Sequence, residues 1–173
     1  ALRVGFRQMD GFRRDWAERI IAARAAGGAF VSMEDVARRA ALPQAALRRL
    51  ADADAFGSLG LDRREALWAA RRTPDGELPL FVAAAARELA EEPDMALPEM
   101  AAAEQVAVDY QTLRLSLKGH PMAHLRGPLV PHRVLSCAAI SAARNGSIAR
   151  VAGIVLVRQR PGKGNAIFIS IED

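Results

Sequence analysis

The sequence predicts a mainly α protein with a β part towards its C-terminal end, and three observations carry that expectation. Apolar residues make up 51% of the chain but aromatic ones only 5%, because alanine dominates. Alanine is the best helix former and loses almost no side-chain entropy. Small and apolar residues recur at helical spacing from Met9 to Trp68, broken by glycines and a Leu-Pro pair. The clear β signal is confined to residues 148–159, rich in Val and Ile, and residues 166–171, which alternate.

Residues 9–24, MDGFRRDWAERIIAAR, set the pattern. Gly11 stands between Met9 and Phe12, and Ala17, Ile20, Ile21 and Ala23 follow at helical spacing. That is a tight turn feeding a helix, with Gly11 free to take a positive φ. Backbone N–H groups in such a turn, at the positive end of a helix dipole, form an anion site. Arg13, Arg14 and Arg19 add charge around it. An ordinary glycine-capped hairpin fits the same residues.

Gly27-Gly28 stops this helix, after a lead-in from Arg3 to Met9 that reads as strand-like or extended. Ser32 is the expected N-cap of the next helix, with Met33, Val36 and Ala37 on its apolar face and an end near Ala41. Leu42-Pro43-Gln44 turns the chain into a helix striped by Leu47, Leu50, Ala51 and Phe56. Helix, turn and helix thus recur about 33 residues after the opening, with Ala41-Leu42-Pro43 set against Met9-Asp10-Gly11. This copy has no glycine and is expected to pack against the first. Asp62 caps a further helix whose expected buried anchors are Leu67 and Trp68.

Net charge is +4, distributed unevenly: +5 over residues 1–72, −8 over 73–109 and +7 over 110–173. Two basic blocks around an acidic one point to two surfaces for a polyanion; arginines that merely solvate helix faces are the alternative. Cys137 is alone, so no disulfide framework forms, and a reducing cytoplasm is expected. Nothing reads as a membrane span or a secretion signal. The chain starts within running sequence and stops after an apolar strand, as a piece of something longer would.

Residues 73–98 hold four of the nine prolines and read as a loose connector with a short helix at 82–89. Within it Glu77, Leu78, Pro79, Leu80 and Phe81 form either a docking peptide for a partner's groove or an apolar tuck onto the preceding helices. Residues 101–117 return to helix, with Val106, Tyr110, Leu113 and Leu117 on one face. A short helix at 122–125 and a small apolar element at 134–143 follow, before the Asn145-Gly146 turn. His120, His124 and His132 have no Cys, Asp or Glu to complete a metal shell, and His120 is expected to cap a helix. The two strands are joined by a Gly-rich loop, and Gly153 marks a bulge or bend. Two strands cannot bury a face, so they begin a larger sheet. With Arg158, Arg160 and Lys163 at the turn, an oligonucleotide-binding (OB) barrel fits, as does any small barrel with a basic loop.

Residues 9–24 resemble the helix-hairpin-helix element, in which an apolar-x-Gly-apolar-Gly turn precedes a helix; Arg13 stands where the second glycine is usual. The order of parts, with LSLKGHP at 115–121 and VAGIVLVRQRP at 151–161, resembles the C-terminal part of the bacterial C-family polymerases. More narrowly, it is similar to their error-prone branch, which acts in damage-induced translesion synthesis. The resemblance implies a tandem helix-hairpin-helix region at 1–72, an acidic linker with connecting helices at 73–132, and the start of an OB-fold domain at 133–173. It implies that Gly11, Phe12, Arg13 and Arg14 lie near primer–template phosphates, with arginine side chains replacing part of the backbone contact. Arg158, Arg160 and Lys163 would meet single-stranded template. Residues 77–81 occupy the place of a sliding-clamp peptide, with Glu77 where Gln is usual. Accessory proteins of the mutagenesis machinery are further implied partners. No catalytic carboxylates or metal site are expected in this chain; Mg2+ would belong to the parent enzyme's palm. A stand-alone nucleic-acid-binding or interaction module is the competing expectation.

Overall fold

The computed structural model describes residues 2–73, 97–162 and 164–173. The helix expected at 82–89, the peptide at 77–81 and Lys163 lie outside the described residues. The chain forms two compact units, Ala1–Leu115 and Ser116–Asp173.

The first unit runs through a 3-10 turn at Phe6–Gln8, then α1 (Arg14–Gly27), α2 (Met33–Arg39), α3 (Gln44–Asp52), a second 3-10 turn at Gly57–Leu59, α4 (Arg63–Arg72) and α5 (Ala102–Leu113). Local chemistry fixes their ends. Ser32 Oγ accepts from the Asp35 N–H at 3.1 Å and starts α2. Asp62 and Glu65 form a reciprocal capping box on α4, both bonds 2.8 Å. By contrast α1 and α3 begin on Arg13 and Pro43, neither of which caps with its side chain. α2 and α3 each close in a Schellman motif without glycine, on Ala41 (φ 47°) and Asp54 (φ 56°). Leu42 N–H reaches Ala37 O at 2.9 Å in one, and Ala55 N–H reaches Leu50 O at 2.9 Å in the other.

The core is where the stripes predict it. Met33, Val36, Leu47, Leu50, Ala51 and Phe56 are all buried, joined by Trp16 and Ile20 from α1. Each large apolar side chain so buried contributes about 1.5–3 kcal/mol. The expected anchors of α4 are different: Trp68 is 43% exposed and Leu67 only half-buried, whereas Ala66 and Ala70 are buried. The buried stripe is Arg63, Ala66 and Ala70, and Trp68 lies about 200° round the helix from Ala66. Two alanines let α4 approach α3 closely, which a tryptophan there would prevent. The helix expected at 101–117 stops at Leu113, because Arg114 turns into the left-handed region (φ 61°), and Leu117 is exposed.

Arginines tie the elements together. Arg63 forms a buried ion pair with Asp109 of α5 and donates to Gln105 O at 3.0 Å. Arg64 reaches Glu104 at 2.9 Å and Pro98 O at 2.8 Å. Arg39 donates to the carbonyls of Ala23 (2.8 Å), Gly28 (3.0 Å) and Ala29 (3.2 Å), pairs with Asp35 at 2.9 Å, and lies 4.5 Å over the Phe30 ring. A basic group on the exposed carbonyls at the end of α1 complements its dipole. Burial alone would raise the Asp35 pKa, but hydrogen bonds from Arg39, Arg38 and the Val31 N–H outweigh it and hold the carboxyl below its ordinary value.

The second unit contains α6 (Pro121–Leu129), a 3-10 turn at Val130–His132, β1 (Val134–Leu135), α7 (Cys137–Ser141), β2 (Arg150–Val151), β3 (Ile154–Gln159) and β4 (Phe168–Glu172). His120 caps α6 as expected, its Nδ1 accepting from the Met122 N–H at 3.2 Å, with Pro121 at the first helical position. The segment at 134–143 divides into β1 and α7. β1 and β2 pair in parallel, β3 and β4 antiparallel, as two separate two-stranded ladders. The strand expected at 148–159 is broken at Ala152-Gly153. A Cβ on Gly153 would stand 2.5 Å from the Glu172 carbonyl oxygen, so only glycine admits this approach. The register then slips by a bulge between Val155 and Val157. No closed barrel forms among the described residues. Val155, Leu156, Phe168 and Ile169 are each more than half exposed on the β3–β4 hairpin.

Candidate nucleic-acid interface

The turn entering α1 is held from both sides. Gly11 has φ 71°, a conformation that costs any residue with a Cβ. Phe12 stacks on Phe6 with ring centroids 5.3 Å apart, meets Trp16 edge-on at 5.5 Å, and its N–H donates to Met9 O. On the other side Asp10 N–H donates to Thr112 O, Gln8 donates to Leu113 O at 2.9 Å, and Arg114 grips the Asp10 carboxylate at 2.9 and 2.6 Å. The turn therefore sits against the end of α5, which satisfies carbonyls that a helix end leaves open.

The backbone of this turn recurs twice. Gly11, Ala41 and Gly60 all have positive φ (71°, 47° and 77°). Each stands three residues before a helix, followed by an apolar residue (Phe12, Leu42, Leu61) and then the N-cap (Arg13, Pro43, Asp62). The matching residue to Gly11 is thus Ala41, 30 positions on, and not the Pro43 that an alignment on Leu-Pro selects. The three helix starts differ in what they offer an anion. The capping box closes α4 with two carboxylates, while α1 and α3 have no side-chain cap.

The charged residues at the first turn are largely paired among themselves. Arg13 bonds Asp15 at 2.8 Å and lies 5.4 Å over the Trp16 ring. Arg14 bonds Glu18 at 2.7 Å from a side chain 92% exposed. Arg19 is shared between Asp15 and the Ala41 carbonyl, so it bolts α1 to the second turn. Gln44 joins α3 to the end of α4 through the carbonyls of Arg71 and Thr73. Arg49, which the sequence pattern did not single out, reaches back from α3: a Cβ on Gly11 would stand 3.3 Å from its Cζ and Nη2.

In the second unit Arg158 and Arg160 are exposed, on β3 and just after it. Arg126 is engaged with Asp173 and with Leu135 O. Among the described residues no group of three or more His, Cys, Asp or Glu gathers at a metal-sized site, and no helix is long and apolar enough to cross a membrane.

A repeated turn-and-helix unit with flanking arginines is the architecture of the helix-hairpin-helix element, and the helix-hairpin-helix motif family model matches residues 1–66. Across its full length the chain is 54% identical to the error-prone DNA polymerases of Rhodopseudomonas palustris (strain HaA2) and Brucella abortus biovar 1 (strain 9-941). It is 55% identical over 93% of its length to that of Bradyrhizobium diazoefficiens. The chain is a homologue of the error-prone DNA polymerases throughout. It spans 17%, 16% and 14% of the length of these three relatives.

Proposed function

We propose that the chain is a DNA-binding region of an error-prone DNA polymerase that works in translesion synthesis in the cytoplasm. The observation that carries this is identity above one half along the whole chain to proteins of that name. The tandem turn-and-helix unit supplies the physical means. In this reading Gly11, Arg13 and Arg14 approach duplex phosphates, Phe12 braces the turn by stacking, and Arg158, Arg160 and Lys163 meet single-stranded template. The exposed apolar hairpin of β3 and β4 suits an OB-type barrel completed by more strands. Catalysis and its Mg2+ belong to the parent polymerase, which supplies the carboxylates.

The test is anisotropy of a labelled primer–template duplex titrated with the chain. Log affinity should fall linearly with log salt at about −0.9 per phosphate contacted, and a change below about twofold between roughly 50 and 200 mM would overturn the reading. Arg13→Ala should weaken binding more than Gln44→Ala, since Gln44 is spent on backbone carbonyls of α4.

Residues 77–81 are proposed to dock on a sliding clamp, on the strength of Leu80 and Phe81 within an acidic connector. Replacing both by alanine should abolish binding to immobilised clamp; equal binding by the variant and the parent chain would reject the assignment. Accessory proteins of the mutagenesis machinery are proposed partners of the chain.

A further inference from the structure

We infer that Arg49 is the principal phosphate-binding side chain of the first turn, an inference that rests on the proposed DNA-binding reading. The turn's own segment cannot supply the attraction. Residues 10–19 contain three arginines and three acids, a net charge of zero. The pairs Arg13–Asp15 and Arg14–Glu18 are formed, Arg19 is divided between Asp15 and a carbonyl, and Arg114 is committed to Asp10. An incoming phosphate would have to displace a carboxylate from each of these. Arg49 differs. It is exposed, and among the described residues no carboxylate pairs with it. Its guanidinium lies over Gly11, with Cζ and Nη2 3.3 Å and Nε 3.5 Å from where a Cβ would be. Glycine therefore serves two ends here. It accepts the positive φ, and its missing side chain leaves room for a guanidinium that comes from α3.

The consequence is a composite site, in which α1 contributes backbone N–H groups without a side-chain cap and α3 contributes the cation. A guanidinium offers several donors in a rigid fork that matches phosphate oxygens. Arg13 usually would be credited with the main contact because it follows the turn in sequence; its stacking on Trp16 and its bond to Asp15 make it the secondary contact, one that also braces the turn.

The test compares the full chain with Arg49→Gln, Arg49→Lys, Arg13→Gln and Arg24→Gln in the primer–template titration, with thermal melting of each. Arg49→Gln should lower the salt slope by about 0.9, one phosphate's worth, while Arg49→Lys keeps it and Arg24→Gln leaves it unchanged. A melting temperature unmoved by Arg49→Gln would set binding apart from packing. A steep parental slope that Arg13→Gln lowers and Arg49→Gln does not would overturn the inference and leave the DNA-binding reading standing. A slope unaltered in Arg49→Gln with a lower melting temperature would assign Arg49 to packing alone. A flat parental slope would remove both readings.

Discussion

Arg63→Ala should cost the first unit about 3–5 kcal/mol, as much as truncating a large side chain of its core. The Arg63 side chain is 2% exposed and that of Asp109 is 6% exposed, 46 residues apart in sequence. Removing the guanidinium takes the ion-pair partner from a carboxylate in the interior between α4 and α5, and also loses the bond to Gln105 O. The pair itself is not the source of the stability. Arg63 Nε is buried without a hydrogen-bond partner among the described residues, so the ion pair is desolvated at a cost that its geometry only partly offsets. Arg63→Met combined with Asp109→Leu should therefore recover most of the loss. Urea unfolding would check both: the midpoint should fall in the single variant at constant slope and return in the double one. A single-variant loss under about 1 kcal/mol would mean that water reaches the pair.

Arg39→Ala should also be damaging, at about 2–3 kcal/mol, because one guanidinium serves three carbonyls, a carboxylate and a ring. Arg39→Lys should recover little, since an ammonium has three donors and no planar face to lay on Phe30. The effect carries a pH signature. The Asp35 carboxyl titrates below its ordinary value of 3.8 in the folded chain. Its contribution to stability is therefore complete above that value and disappears as pH falls through it towards the lower folded one. The difference between the parent chain and Arg39→Ala should shrink over the same interval. Melting curves at about pH 7 and about pH 3 would show it, and a difference that stayed constant would detach Asp35 from the clasp.

What could be read in advance follows from how local each signal is. Ser32, Asp62 and His120 cap helices where their types and positions predict, because a cap is decided within three or four residues. Gly153 marks a real break, legible because glycine is unusual inside a strand, although its reason lies on β4, where the Glu172 carbonyl leaves no room for a Cβ. Trp68 was misplaced because a helix's buried face depends on where the helix starts and on how closely its neighbour approaches, and alanines permitted the closer approach. The Arg63–Asp109 pair was beyond reach, as nothing in either segment names the other. At the candidate interface Arg13 and Arg14 are legible in the sequence, but their pairing with Asp15 and Glu18 depends on side-chain conformations that the sequence does not specify. Arg49 was missed because its importance comes only from lying over Gly11. Ala41 hid the second turn, since a pattern that searches for glycine passes over a left-handed alanine.

That alanine has a bearing on how the first unit assembles. A residue with a Cβ held at φ 47° is uphill by about 1–2 kcal/mol, so the middle turn does not hold its shape unaided. What holds it is partly local, the Leu42 N–H on Ala37 O at 2.9 Å and the Ala41 N–H on Arg38 O at 3.3 Å, and partly distant: the guanidinium of Arg19 on the Ala41 carbonyl, and Leu42 sunk in the common core. The glycines at positions 11 and 60 carry no such debt. The middle turn thus leans on a side chain of α1 as its two glycine counterparts do not need to. Through Arg19 a change in the first helix is felt at the second turn, 22 residues further along the chain.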